Sequence, residues 1–184
     1  MKQFFCDLET TGTDPAKHGI IQIAGAIVID GELKETFDWK VRPLRGDMVS
    51  PEACKVTGVT IEQMREFPEA PVVFGQLLAL LNRYVDKFNN KDKFFFVGFN
   101  STFDDGFLRR FWEKNGDVYY GSWFWWPSID VAVLAAHKLG DGRAGLLNFK
   151  LTTVAQALGV SAEGSAHDAG YDIELTRKLY EACK

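Results

Sequence analysis

Cysteine is scarce in this sequence: 184 residues hold three, Cys6, Cys54 and Cys183. No two form a C-x-x-C pair and their number is odd, which speaks against a thiolate zinc site or a disulfide framework and leaves reduced thiols as the expectation. No apolar run approaches the roughly 20 residues that cross a bilayer, so no membrane partner is expected. Asp7 interrupts the apolar start too early for a signal peptide, which points to a cytoplasmic protein. Repeats, low-complexity tracts and interdomain linkers are lacking too. With 46% hydrophobic content the chain is expected to be one domain, residues 1–184, with a sizeable core. Basic residues are in deficit: 21 Lys and Arg against 25 Asp and Glu, a formal net charge of −4. Phosphate binding usually shows as basic excess, yet two divalent ions in a four-carboxylate site would cancel that deficit locally. The sign of the charge therefore decides little until the acids are placed.

The first acids lie in Phe4-Phe5-Cys6-Asp7-Leu8-Glu9-Thr10-Thr11-Gly12. Extended side chains alternate faces, so Asp7 and Glu9 point one way and Cys6 and Leu8 the other. At about 3.3 Å rise per residue their Cα atoms are roughly 6.6 Å apart, a span short carboxylates close around metal ions. Two bare carboxylates on a buried face would be costly, and a divalent cation removes that cost. The plainer alternative is an edge strand with both acids in solvent.

Further strands are expected over Ile20–Ile29 and Glu32–Val41, joined by an Asp30-Gly31 turn. Ser50 before Pro51 and the Thr60/Gln63 pair mark two short helices between Ser50 and Phe67, separated by Gly58. Val73, Leu77, Leu80, Leu81 and Tyr84 recur at helical spacing in a helix from Pro71 to Phe88. Phe94–Phe99 is continuously apolar, as in a strand covered on both faces. A loop turning into a helix follows over Asn100–Asn115, then a strand over Tyr119–Trp126, a helix over Ile129–Leu139, and closing helices over Leu151–Leu158 and Asp168–Cys183. A β-meander followed by alternating helices and strands is an α/β pattern with a mixed sheet.

Two aspartates compete in Asn100-Ser101-Thr102-Phe103-Asp104-Asp105. Asp104 shares a helical stripe with Phe107, Leu108 and Phe111, whereas Asp105 shares its face with Arg109, so Asp104 is the inward acid. Near the end, Asp172 lies on the stripe of Leu175, Leu179 and Cys183. Five helical residues rotate about 500°, so His167 shares Asp172's face only from the loop before the helix. Asp168 is the rival inward acid and fits a helix N-cap. All-carboxylate sites suit Mg²⁺ or Mn²⁺, paired metals serve in-line phosphoryl displacement, and a histidine beside them can take a proton from water.

Asp7-Leu8-Glu9-Thr10, Asn100-x-x-Phe103-Asp104 and His167-x-Ala169-x-x-Asp172 together resemble the three motifs of the DEDDh 3′–5′ exonucleases. That family includes the proofreading subunit of bacterial replicative DNA polymerase, ribonuclease T and oligoribonuclease. Ser50-Pro51-Glu52-Ala53, Gly58-Val59-Thr60, Lys150-Leu151 and Leu158-Gly159 resemble its connecting segments, so the resemblance covers nearly the whole chain. It implies a ribonuclease H-like fold, a mixed five-stranded sheet with helices on both faces. The implied reaction releases nucleoside 5′-monophosphates from the 3′ end of DNA or RNA, preferably single-stranded. It also implies two Mg²⁺ or Mn²⁺ ions on Asp7, Glu9, Asp104 and Asp172, His167 as general base, and Thr10, Gly12 and Phe103 at the terminal nucleotide.

Thr57 and Phe99 depart from the family, standing where histidine is frequent. Polymerase proofreaders often continue into a polymerase-binding tail; none is evident after the third motif, so a stand-alone nuclease is expected. The aromatic run Tyr119 to Trp126 has three candidate uses: core packing, a partner contact such as a homodimer, or base stacking. The competing functions are an exonuclease confined to short oligoribonucleotides and a catalytically weak module that binds nucleic acid or a protein partner.

Overall fold

The computed structural model describes residues 1–162 and 169–184. Five strands form one mixed sheet: β1 (Lys2–Thr10), β2 (Ile20–Ile29), β3 (Glu32–Lys40), β4 (Phe95–Gly98) and β5 (Ile129–Asp130), in the order β3-β2-β1-β4-β5. β2 is antiparallel to β1 and β3, while β4 runs parallel to β1 and β5 parallel to β4. The β2–β3 turn is set by Asp30 and Gly31, with φ of 52° and 85°. Two positive φ values in a two-residue loop match the twist of the hairpin, as Asp-Gly predicts.

Helices α1 (Pro51–Thr57), α2 (Ile61–Arg65), α3 (Ala70–Asn82), α4 (Ser101–Lys114), α5 (Val131–Leu139), α6 (Leu151–Ala157) and α7 (Ala169–Cys183) complete the described fold. The two short helices begin where their caps predict. Ser50 Oγ accepts from the Ala53 N–H at 3.0 Å, and Thr60 and Gln63 exchange both capping-box bonds.

Alternation along β1 splits the core in two. Phe4, Cys6 and Leu8 face one layer with Val73, Phe74 and Leu77 of α3 and Phe107, Leu108 and Phe111 of α4. Phe5 faces the other, with Val131 and Ala135 of α5, Val154 of α6 and Ile173, Leu179 and Tyr180 of α7. Helices thus cover both faces. Asp7 and Glu9 share the parity of Phe5 and lie near the carboxyl end of β1, beyond the point where burial is complete. Among the described residues no helix is long and apolar enough to cross a membrane.

Three expected elements are corrected. The segment Tyr119–Trp126 is not a strand: Tyr120–Ser122 forms a single 3₁₀ turn, and Phe124 pairs with Phe94 in an isolated bridge, through the Phe94 N–H donating to the Trp123 carbonyl and the Trp125 N–H donating to the Phe94 carbonyl. Tyr120, Trp123 and Phe124 are buried in the first core layer. Phe124 packs on Phe4, Phe96 and Tyr120 at centroid distances of 5.3, 5.9 and 4.8 Å. Half of the aromatic run is therefore core, with Trp125 half-buried and Tyr119 and Trp126 exposed. The fifth strand is Ile129–Asp130, read from the sequence as the start of a helix. The helix predicted to reach Phe88 ends at Asn82, where Arg83 and Tyr84 turn away to bond Glu35 on β3.

Candidate active site

The carboxyl ends of β1 and β4 and the first turns of α4 and α7 meet at one end of the sheet. β4 leads through Asn100, at φ 64°, into α4. Asparagine tolerates that left-handed conformation better than other side chains do. The Asn100 N–H donates to Asp130 Oδ1 at 3.0 Å, and the same oxygen caps α5 by accepting from the Ala132 N–H at 2.9 Å. One carboxylate thereby fixes where α4 starts relative to the sheet.

That start carries Asp104 inward. It is 4% exposed and its Oδ1 accepts from the Leu8 N–H at 3.0 Å, bonding the second acidic segment to the first. Asp105, its rival, is turned to other partners: Tyr120 donates to it at 2.6 Å and Arg109 lies 3.5 Å away. Burial and the neighbouring Asp7 push the Asp104 carboxyl well above its ordinary range, against the Leu8 N–H bond that favours its ionised form. Burial, then Glu9, then Asp172 push Asp7 up to about 7. The four predicted acids thus act on one another, and the neighbours that raise them are carboxylates.

This donor set fits hard divalent cations: oxygen only, negatively charged, and destabilised by its own repulsion until a cation arrives. Among the described residues no three His, Cys, Asp or Glu side chains are grouped so as to hold a metal ion. Leu175 and Leu179 are buried on the stripe that also carries Asp172. His167 and Asp168 lie outside the described residues.

Beside the acids runs a groove of about 530 Å³, lined by Leu8, Glu9, Thr10 and Gly12 on one side and by Ser50, Ala53 and Thr57 of the α1 region on the other, with Phe103 and His18 completing the wall. Its walls are tied together: the Ser50 N–H donates to the Thr11 carbonyl at 2.8 Å and Thr11 Oγ1 to the Met48 carbonyl at 2.6 Å. Thr10 Oγ1 turns inward to the Gly12 carbonyl at 2.7 Å. All three residues predicted at the terminal nucleotide, Thr10, Gly12 and Phe103, line this one groove. Its size suits a nucleotide, since small-ligand pockets span roughly 300–1,000 Å³.

Residues 4–180 match the sequence profile described as exonuclease, that of the ribonuclease T group. The chain belongs to the exonuclease family. The sheet and its helices form a ribonuclease H-like fold. Ribonuclease T of Hahella chejuensis is 26% identical over 181 residues, covering 95% of this chain and 79% of that enzyme. A PolC-type DNA polymerase III from Thermotoga petrophila is 27% identical over 174 residues, covering 95% of this chain and 11% of the polymerase. The crystal structure of E. coli exonuclease I in complex with a dT13 oligonucleotide superposes with a TM-score of 0.75 at 23% identity. That match covers 99% of this chain and 40% of exonuclease I. This exonuclease chain therefore spans only a part of the polymerase and of exonuclease I.

His18 and the α1 wall escaped the sequence reading, which took residues 13–19 as a plain loop. Only Gly12 held a signal for His18: a Cβ there would lie 2.3 Å from the His18 ring, a proximity no periodicity reveals.

Proposed function

We propose that residues 1–184 act as one metal-dependent 3′–5′ exonuclease domain that binds a single-stranded DNA or RNA end and releases nucleoside 5′-monophosphates. The observation that carries this reading is the adjacency of the mutually repelling acids and the nucleotide-sized groove, with Glu9 common to both. Ribonuclease T and the oligonucleotide-bound exonuclease I support a nucleic-acid substrate.

In this reading Asp7, Glu9, Asp104 and Asp172 hold two divalent ions, Mg²⁺ or Mn²⁺, which supply positive charge at the scissile phosphate and lower the pKa of water. His167 accepts the proton of the attacking water. The water oxygen bonds to phosphorus, the bond from phosphorus to the O3′ of the penultimate nucleotide breaks, and the leaving O3′ takes a proton from solvent to become the strand's new 3′-hydroxyl. Thr10, Gly12 and Phe103 seat the departing nucleotide, and the tied loop at Thr11 keeps that seat in register with Glu9.

The test uses purified protein and its Asp7→Asn variant with 5′-labelled single-stranded DNA and matching RNA, in Mn²⁺ or in EDTA. A ladder shortening from the 3′ end, present with Mn²⁺ and absent from the variant, is expected. The DNA-to-RNA rate ratio, and the dependence of rate on length, assign the substrate. A folded wild-type protein that cuts none of these substrates refutes the proposal.

A further inference from the structure

We infer that His18 is a substrate-binding residue, presenting Nε2 to the 3′-terminal nucleotide, and that Gly12 is a positioning residue whose missing side chain gives the imidazole its place. The inference rests on the reading of the groove as the seat of that nucleotide. The ring is locked from behind: Nδ1 lies 3.1 Å from both the amide nitrogen and the carbonyl oxygen of Asp14. The backbone is held as well, by the His18 N–H donating to the Asp14 carbonyl at 2.8 Å and by Lys114 Nζ donating to the His18 carbonyl at 2.8 Å.

The face of the ring lies over Gly12, where a Cβ would come within 2.3, 2.4 and 2.5 Å of Cδ2, Nε2 and Cγ. A methyl group cannot share that space, so any other residue at position 12 displaces the imidazole. Among the described residues Nε2 has no hydrogen-bond partner, and it is not one of the buried polar side-chain atoms left without one. It therefore opens to solvent. The two hollows His18 borders differ greatly: one holds about 10 Å³, room for no more than a water, and the other is the 530 Å³ groove. The one ring nitrogen left unused thus belongs to the groove that holds Thr10, Gly12 and Phe103. A nucleotide offers it hydrogen-bonding groups on both sugar and base.

The experiment measures kcat and KM on single-stranded DNA in Mn²⁺ for wild type, His18→Phe, His18→Gln, Gly12→Ala and the Gly12→Ala/His18→Phe double variant, with a thermal melt of each. His18→Phe keeps a flat ring without nitrogen, and His18→Gln keeps a polar nitrogen near the Nε2 position. Loss of one hydrogen bond in a desolvated groove predicts about a tenfold rise in KM for His18→Phe at nearly unchanged kcat, with His18→Gln recovering most of it. Gly12→Ala is expected to match His18→Phe, and the double variant to be no worse than either, since both remove the same contact. An unchanged KM in a folded His18→Phe protein, a His18→Gln variant no better than His18→Phe, or additive losses in the double variant would overturn the inference. A wild-type protein with no activity on any end would instead refute the exonuclease reading on which it rests.

Discussion

Asp7→Asn should abolish hydrolysis and, in the absence of metal, make the protein more stable. Asp7 is pushed from 3.8 to about 7, chiefly by burial and then by Glu9 and Asp172. Its ionised form is therefore disfavoured in the folded state relative to the unfolded chain. Below pH 4 the carboxyl is protonated in both states and costs nothing. From pH 4 to 7 the unfolded chain releases the proton while the folded one keeps it, so stability falls as pH rises, and above pH 7 the cost is constant. About three pKa units at 1.36 kcal/mol each give a ceiling of about 4 kcal/mol. Asp7 keeps part of its surface open to solvent, so about 2 kcal/mol is the working figure.

At roughly 2–4 °C per kcal/mol for a chain of this size, the metal-free variant should melt about 4–8 °C above wild type at pH 8. The gap should close toward pH 4. Mn²⁺ should raise the wild-type midpoint far more than that of Asp7→Asn, because the carboxylate that destabilises the metal-free protein is the one proposed to bind the ion. The assay is a set of thermal melts in EDTA and in Mn²⁺ between pH 4 and 8. A wild-type midpoint in EDTA that does not fall between pH 5 and 8, or an Asp7→Asn protein that melts at or below wild type at pH 8, refutes the argument that these acids are held together against their own repulsion.

His167→Asn should lower kcat by about 10²–10⁴ with KM little changed, as for the loss of a general base; steady-state kinetics that show an unaltered kcat would remove His167 from the mechanism. Gly25→Ala should cost about 3 kcal/mol or more in a urea titration, because its Cβ would sit 2.2 Å from the Phe5 carbonyl oxygen and 2.4 Å from the Phe37 ring, the first of which is backbone and unable to yield. Ser50→Ala should cost about 1 kcal/mol through the lost cap of α1. Because α1 forms a wall of the groove, the same change should raise KM more than it lowers kcat.

What the sequence made legible was whatever a short period or a local bond determines. Alternation placed Asp7 and Glu9 opposite Cys6 and Leu8. The helical stripe chose Asp104 over Asp105, and the caps at Ser50 and Thr60 located helices of only seven and five residues. The aromatic run at Tyr119–Trp126 misled because aromatic side chains report burial, not backbone direction. Tyr120, Trp123 and Phe124 reach the core from a 3₁₀ turn and an isolated bridge as well as a strand would have delivered them. The true fifth strand, two residues long, has no period to read. The end of α3 was lost for a different reason. Tyr84 continues the apolar stripe, but its hydroxyl and the Arg83 guanidinium are bound by Glu35, a residue 48 positions from Arg83.

The same distinction separates the chemistry of the site from its selectivity. The acids could be singled out because a carboxylate on an apolar face violates a local rule, and the violation is visible wherever it occurs in sequence. Selectivity in the groove has no such signature. Its walls come from β1, the loop that holds His18, α1 and α4, and what joins them is a set of ties between distant residues: Ser50 to Thr11, Thr11 to Met48, Lys114 to the His18 carbonyl. Each tie spends an ordinary polar group on holding a wall, and none marks itself as functional in the sequence. Departures such as Thr57 therefore carry meaning only once the opposite wall is known, and there the structure places an imidazole facing the same groove. A substitution that looks like the loss of a nucleotide contact at one position must accordingly be weighed against what the whole groove still offers.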